Sequence, residues 1–81
     1  MTSQELKLLE NFERDSRWFH ENINAIRKKG LTGKFVAIKN ENVISSGVNA
    51  DLMIQSLEER GENPSYIFIE FVYPEGFTLI L

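Results

Sequence analysis

The sequence predicts an α+β fold in the order α-β-β-α-β-β: a long N-terminal helix, a β-hairpin, a second helix and then one or two strands, with a mostly antiparallel sheet packed on the helices. Three observations predict it. Leu9, Phe12, Ser16, Phe19, Ile23 and Ile26 recur at steps of three and four residues, which places them on one stripe of a helix. Gly33 to Gly47 reads as two short strands joined by polar turn residues. Ser65 to Tyr73 alternates, with Ile67, Ile69, Phe71 and Tyr73 on one face and Tyr66, Phe68, Glu70 and Val72 on the other.

Each element has local signals. Thr2-Ser3-Gln4-Glu5 matches a capping box, so the first helix begins there. It runs either as one long or slightly broken helix, the preferred reading, or as two, with Asp15 or Ser16 as a second N-cap. Arg27, Lys28 and Lys29 suit its last turn, and Gly30 ends it. In the hairpin, Phe35, Ala37 and Lys39 face one way and Val36 and Ile38 the other, Asn40-Glu41-Asn42 forms the turn, and Val43 and Ile44 begin the return. Asn49 caps a second helix with Met53, Ile54 and Leu57 as its apolar face and Gly61 as its stop. Because both faces of Ser65–Tyr73 are apolar, that strand is expected to be central or to be covered on its second face by the long helix or another subunit. Tyr73-Pro74-Glu75-Gly76 forms a turn, and Phe77–Leu81 an extra edge strand.

The run Gly33-Lys34-Phe35-Val36-Ala37-Ile38, a turn, Val43-Ile44, Gly47 and a helix ending at Gly61 resembles a small prokaryotic domain family that is well represented in archaea. Its pattern is G-K-aromatic-V-A-I, a turn, V-V, G, then helix and strand. The resemblance covers roughly residues 18–73. The family is one of unknown function, so the resemblance implies a fold and no active site. The chain departs from that pattern in its longer first helix and its terminal segment. The expected organisation is a single domain, 1–81, with 1–15 as a helical extension, 18–73 as the family-like core and 77–81 as the added strand.

Eighty-one residues approach the lower limit for a core without disulfides or metal, and the chain has no cysteine. Thiolate metal sites and disulfide staples are excluded. The start of the sequence lacks the basic and apolar regions of a signal peptide, and no apolar run is long enough for a membrane span. The expectation is a soluble, cytoplasmic protein. The net charge of −3 is unevenly spread: residues 1–39 hold eight basic and five acidic side chains, and residues 40–81 hold one and seven.

No motif nominates chemistry. Gly30-Leu31-Thr32-Gly33-Lys34 resembles a phosphate loop in composition only, since a helix precedes it, Phe35 follows the lysine and a strand comes next. Nor does it fit the G-x-x-G clamp that joins two helices. Ser16 and His20 lie one helical turn apart, but nothing supplies an orienting acid or an oxyanion hole. One histidine also cannot form a nitrogen-rich metal site, so no cofactor, metal or catalytic residue is assigned and the protein is read as a non-enzyme. Arg27, Lys28, Lys29, Lys34 and Lys39 form a run of five cations with no acid between them, the basis of an alternative reading as a nucleic-acid or phosphate-ligand binder. Three of the five are explained by the helix end, and no run of exposed aromatics accompanies them, so this alternative is not favoured.

Trp18, Phe19 and Phe12 read as packing residues, with Ile67, Ile69 and Phe71 as expected partners. A first helix longer than the sheet leaves Leu6, Leu8, Leu9 and Phe12 uncovered. The expected function is therefore a non-catalytic interaction or regulatory module, a homodimer or partner-binding protein, with Leu6, Leu9, Phe12, Tyr66, Phe68 and Val72 as its contact surface.

Overall fold

The computed structural model describes residues 2–76. The Phe77–Leu81 strand expected from sequence lies outside the described residues. Helix α1 spans Ser3–Glu21 and opens on the expected capping box: the Thr2 hydroxyl accepts from the Glu5 amide at 3.1 Å, and the Thr2 amide donates to the Glu5 carboxylate at 3.3 Å. It runs unbroken through Asp15 and Ser16. The interruption falls instead at Asn22, whose backbone takes φ −112° and ψ 15°. Its side-chain amide donates to the Trp18 carbonyl at 2.9 Å, sharing that acceptor with its own backbone N–H. An asparagine that competes in this way for a helical carbonyl loosens the turn. The helix resumes as α2, Ile23–Ile26, and ends in a wide turn, Arg27–Leu31, where Gly30 takes φ 81°.

Strand β1, Phe35–Lys39, lies in the middle of a three-stranded antiparallel sheet. On one side is β2, Asn42–Gly47, and on the other β3, Phe68–Phe71. Helix α3, Ala50–Glu59, links β2 to β3, capped by the Asn49 side chain accepting from the Leu52 amide at 3.1 Å. Of the alternatives expected for the last alternating segment, the central place belongs to β1, with β3 an edge strand among the described residues, and it is the cover of its second face by the first helix that the structure shows, through Phe68 and Val72. That segment is also shorter than its alternation implied. Pro64–Tyr66 forms one tight helical turn, started by the Asn63 side chain accepting from the Ser65 amide at 3.0 Å, and Pro64 fixes the backbone angle this requires. Val72 continues the pairing beyond β3, accepting from the Gly33 amide at 2.8 Å and donating to the Lys34 carbonyl at 2.9 Å.

Both faces of the sheet are covered. On one, Phe19 and Ile26 pack against Val36, Ile38 and Val72, with Trp18, Ile23, Val43 and Phe68 around them. On the other, Met53 and Leu57 of α3 pack on Ala37 and Ile67, flanked by Phe35, Ile44 and Ile69. The pairing of the aromatic helix residues with Ile67 and Ile69 is therefore corrected: those two side chains face α3, and the even-numbered Phe68 and Val72 meet α1 and α2. Phe71 stacks edge-on against Phe35, with ring centroids 5.1 Å apart. In β2, Ser45 pairs with Ala37 and Val43 with Ile38, so Ile44 is an extra residue in a bulge. The bulge adds Ile44 to the α3 side of the sheet while Ser45 keeps its place opposite Ala37.

The hairpin turn has two residues rather than three, because Asn42 already pairs with Lys39. Asn40 and Glu41 take φ 52° and 60°, the left-handed pair that matches strand twist. Asp15, 4% exposed, accepts from the Glu41 amide at 2.9 Å. Arg14 donates from Nε to Asp15 at 3.2 Å and from Nη2 to the Asn40 side chain at 3.1 Å. Helix and turn are thereby locked together.

Asp15→Ala should lower unfolding free energy by about 1–3 kcal/mol in urea denaturation, and Asp15→Asn by less, because an amide oxygen still accepts. Glu41→Gly should raise it by up to about 1 kcal/mol, since glycine removes the left-handed strain and keeps the amide that Asp15 holds. In the same assay, truncating the fully buried Leu57 to alanine should cost about 2–5 kcal/mol.

Candidate interaction surface

The buried residues of α1 are Asp15 and Phe19, both in its second half. From Ser3 to Glu10 only Leu8 is even half-buried. The sheet does not reach far enough to cover the first turns, because strands of four to six residues cannot match a 19-residue helix. Leu6 and Leu9 consequently stand 50% and 45% exposed.

Two concavities flank this half-helix. One, about 450 Å³ and open, has Phe12 and Phe68 as its apolar floor and Glu13, Ser16 and Arg17 at its rim. The other, about 240 Å³, lies between Leu8 and Asn11 of α1, the hairpin turn at Asn40 and the segment carrying Tyr66 and Ile67. Tyr66 is 52% exposed. Of the six contact residues expected from sequence, Leu6, Leu9 and Tyr66 are exposed, and Phe12 and Phe68 are half-buried. Val72 is fully buried against the first helix and is removed from the surface.

The five cations do not form one patch. Lys34 and Lys39 sit at opposite ends of β1, about 16 Å apart at strand rise. The Lys39 ammonium is held by both oxygens of Glu62, at 2.8 and 3.1 Å. Arg27 donates from Nε to the Tyr73 carbonyl at 3.0 Å and from Nη1 to the Asn24 side chain at 3.1 Å. Lys28 and Lys29 remain exposed at the helix end, where Glu75 lines the same shallow hollow as Arg27 and Lys28. An acid among dispersed cations weakens attraction for a phosphate chain.

Ser16 and His20 do not form a nucleophile–base pair. His20 Nδ1 lies 2.8 Å from the Ser16 backbone carbonyl, which can only accept, so the proton is on Nδ1 and the hydroxyl is not engaged by the ring. Among the described residues no group of three or more His, Asp or Glu side chains is arranged to hold a metal ion, and no helix is long and apolar enough to cross a membrane.

Two buried or half-buried acids escaped the sequence reading. Asp15 lies three residues after Phe12 and four before Phe19, so it shares their inward stripe, and that placement is the signal of a buried acid with a partner. Glu70 lies on the α1-facing side of β3, half-buried, with its carboxylate accepting from the Phe71 amide at 3.0 Å. Comparison of the chain with protein-family models, with curated proteins and with solved structures returns no match.

Proposed function

We propose that this protein is a non-catalytic interaction module that acts in the cytoplasm as a homodimer, joined through the projecting half of α1. The observation that carries the reading is the pair Leu6 and Leu9, about half exposed on a helix with no sheet beneath it. Apolar side chains placed together beyond the core mark a surface that another chain covers. Phe12, Phe68 and Tyr66 extend that surface on either side of the helix. A second copy presents the same residues, so a two-fold crossing of the half-helices makes the patch self-complementary. The small core, unaided by cysteines, also favours association as a source of stability. A cytoplasmic setting accords with the lack of cysteine.

Size-exclusion chromatography with light scattering tests the proposal. The expected result is a species of twice the 9.4 kDa chain mass, a Tm that rises with protein concentration, and conversion of Leu6→Glu/Leu9→Glu to a folded monomer. A wild-type monomer at high concentration overturns it.

A further inference from the structure

A cleft of about 360 Å³ opens between the C-terminal part of the first helix and the strand leading out of β3, away from the projecting half-helix. Its walls are apolar, made by Phe19, Ile23, Phe71 and Tyr73, and its volume falls in the range of small-molecule sites. His20, Arg27 and Glu70 also line it.

The two charges are not paired with each other. The ion pairs among the described residues are Arg14 with Asp15 and Lys39 with Glu62. Arg27 is fixed by the Tyr73 carbonyl and Asn24, and its Nη2 has no partner among the described residues. Glu70 is fixed by the Phe71 amide through Oε1, and its Oε2 has no partner among the described residues. Half-buried charges of opposite sign that share a cleft ordinarily neutralise one another. Here each is oriented by the main chain of one extended segment, at positions two residues or about 7 Å apart. His20 also faces the cleft, with Nδ1 committed to the Ser16 carbonyl and Nε2 the ring nitrogen left for a ligand.

We infer that this cleft binds a small zwitterion, a free α-amino acid with an aromatic or branched apolar side chain. Its carboxylate meets Arg27 Nη2, its ammonium meets Glu70 Oε2 and His20 Nε2, and its side chain lies against Phe19, Ile23 and Phe71. Guanidinium is suited to the carboxylate, and a carboxylate with an imidazole nitrogen to the ammonium. The site shares no residue with the proposed dimer surface. Either proposal therefore stands or falls without the other.

The test is an NMR titration of the ¹⁵N-labelled full chain with L-phenylalanine, and with 3-phenylpropionate and phenethylamine, which each lack one charge. Saturable shifts at the Phe71 and Tyr73 amides are expected with L-phenylalanine, and binding at least about tenfold weaker with either control. Glu70→Gln, which keeps an acceptor for the Phe71 amide, should weaken L-phenylalanine binding by a similar factor with the spectrum otherwise unchanged. Leu6→Glu/Leu9→Glu should leave it unaltered. No saturable shift at millimolar L-phenylalanine, equal binding of either control, or wild-type affinity in Glu70→Gln overturns the assignment.

Discussion

Val36, Ala37 and Ile38 have no exposed surface, and they are consecutive residues of one strand. Successive side chains point to opposite faces, so such a run can be buried only if both faces of the sheet are covered. That requirement organises the chain. One face is covered by α1 and α2 and the other by α3, and β1 needs a neighbour on each edge to satisfy its backbone groups. The order β2-β1-β3 follows from placing a short hairpin first and returning through α3 to the strand's open side.

The covering layers are joined by few polar contacts, and Asp15 makes the most consequential of them. A carboxylate rising from the inward stripe of α1 would be costly if unpartnered. It meets the amide of a residue in a left-handed turn, so one bond orients the helix and holds a strained turn closed. Arg14 completes the arrangement by reaching the adjacent turn residue. Helix and hairpin are 26 residues apart in sequence at this contact, which makes it a long-range tie in a chain with a limited core.

Elements governed by local rules were legible in the sequence: the Thr2 and Asn49 caps, the Gly30 and Gly61 stops, the hairpin and the long helix. What was not legible depended on tertiary placement. Alternation in Ser65–Tyr73 reports that two faces are apolar, yet it is silent on which helix covers which, and the Pro64 turn shortens a segment whose pattern continues through it. The cation run from Arg27 to Lys39 is continuous in sequence but is divided in space by the length of β1. Capping preference offers Asp15 or Ser16 only as an alternative break in the long helix, whereas Asp15 is held by the turn and Asn22 loosens the helix instead. For the interaction surface, five of six residues lie at or near the exterior. Val72 does not, since its parity directs it to the core.

The bulge at Ile44 makes β2 unequally tolerant of changes in length. Before it, Val43 belongs to the layer beneath the long helix, and after it Ser45 sits opposite Ala37. Loss of Ile44 would only remove the bulge, leaving Ser45 opposite Ala37 and Val43 opposite Ile38 and stripping an isoleucine from the α3 side, whereas loss of Val43 would bring Ile44 opposite Ile38 and turn it toward the long helix. A homologous chain can therefore lose the bulge residue and keep the register of this strand, whereas the turn before it, held by Asp15, must keep its two residues.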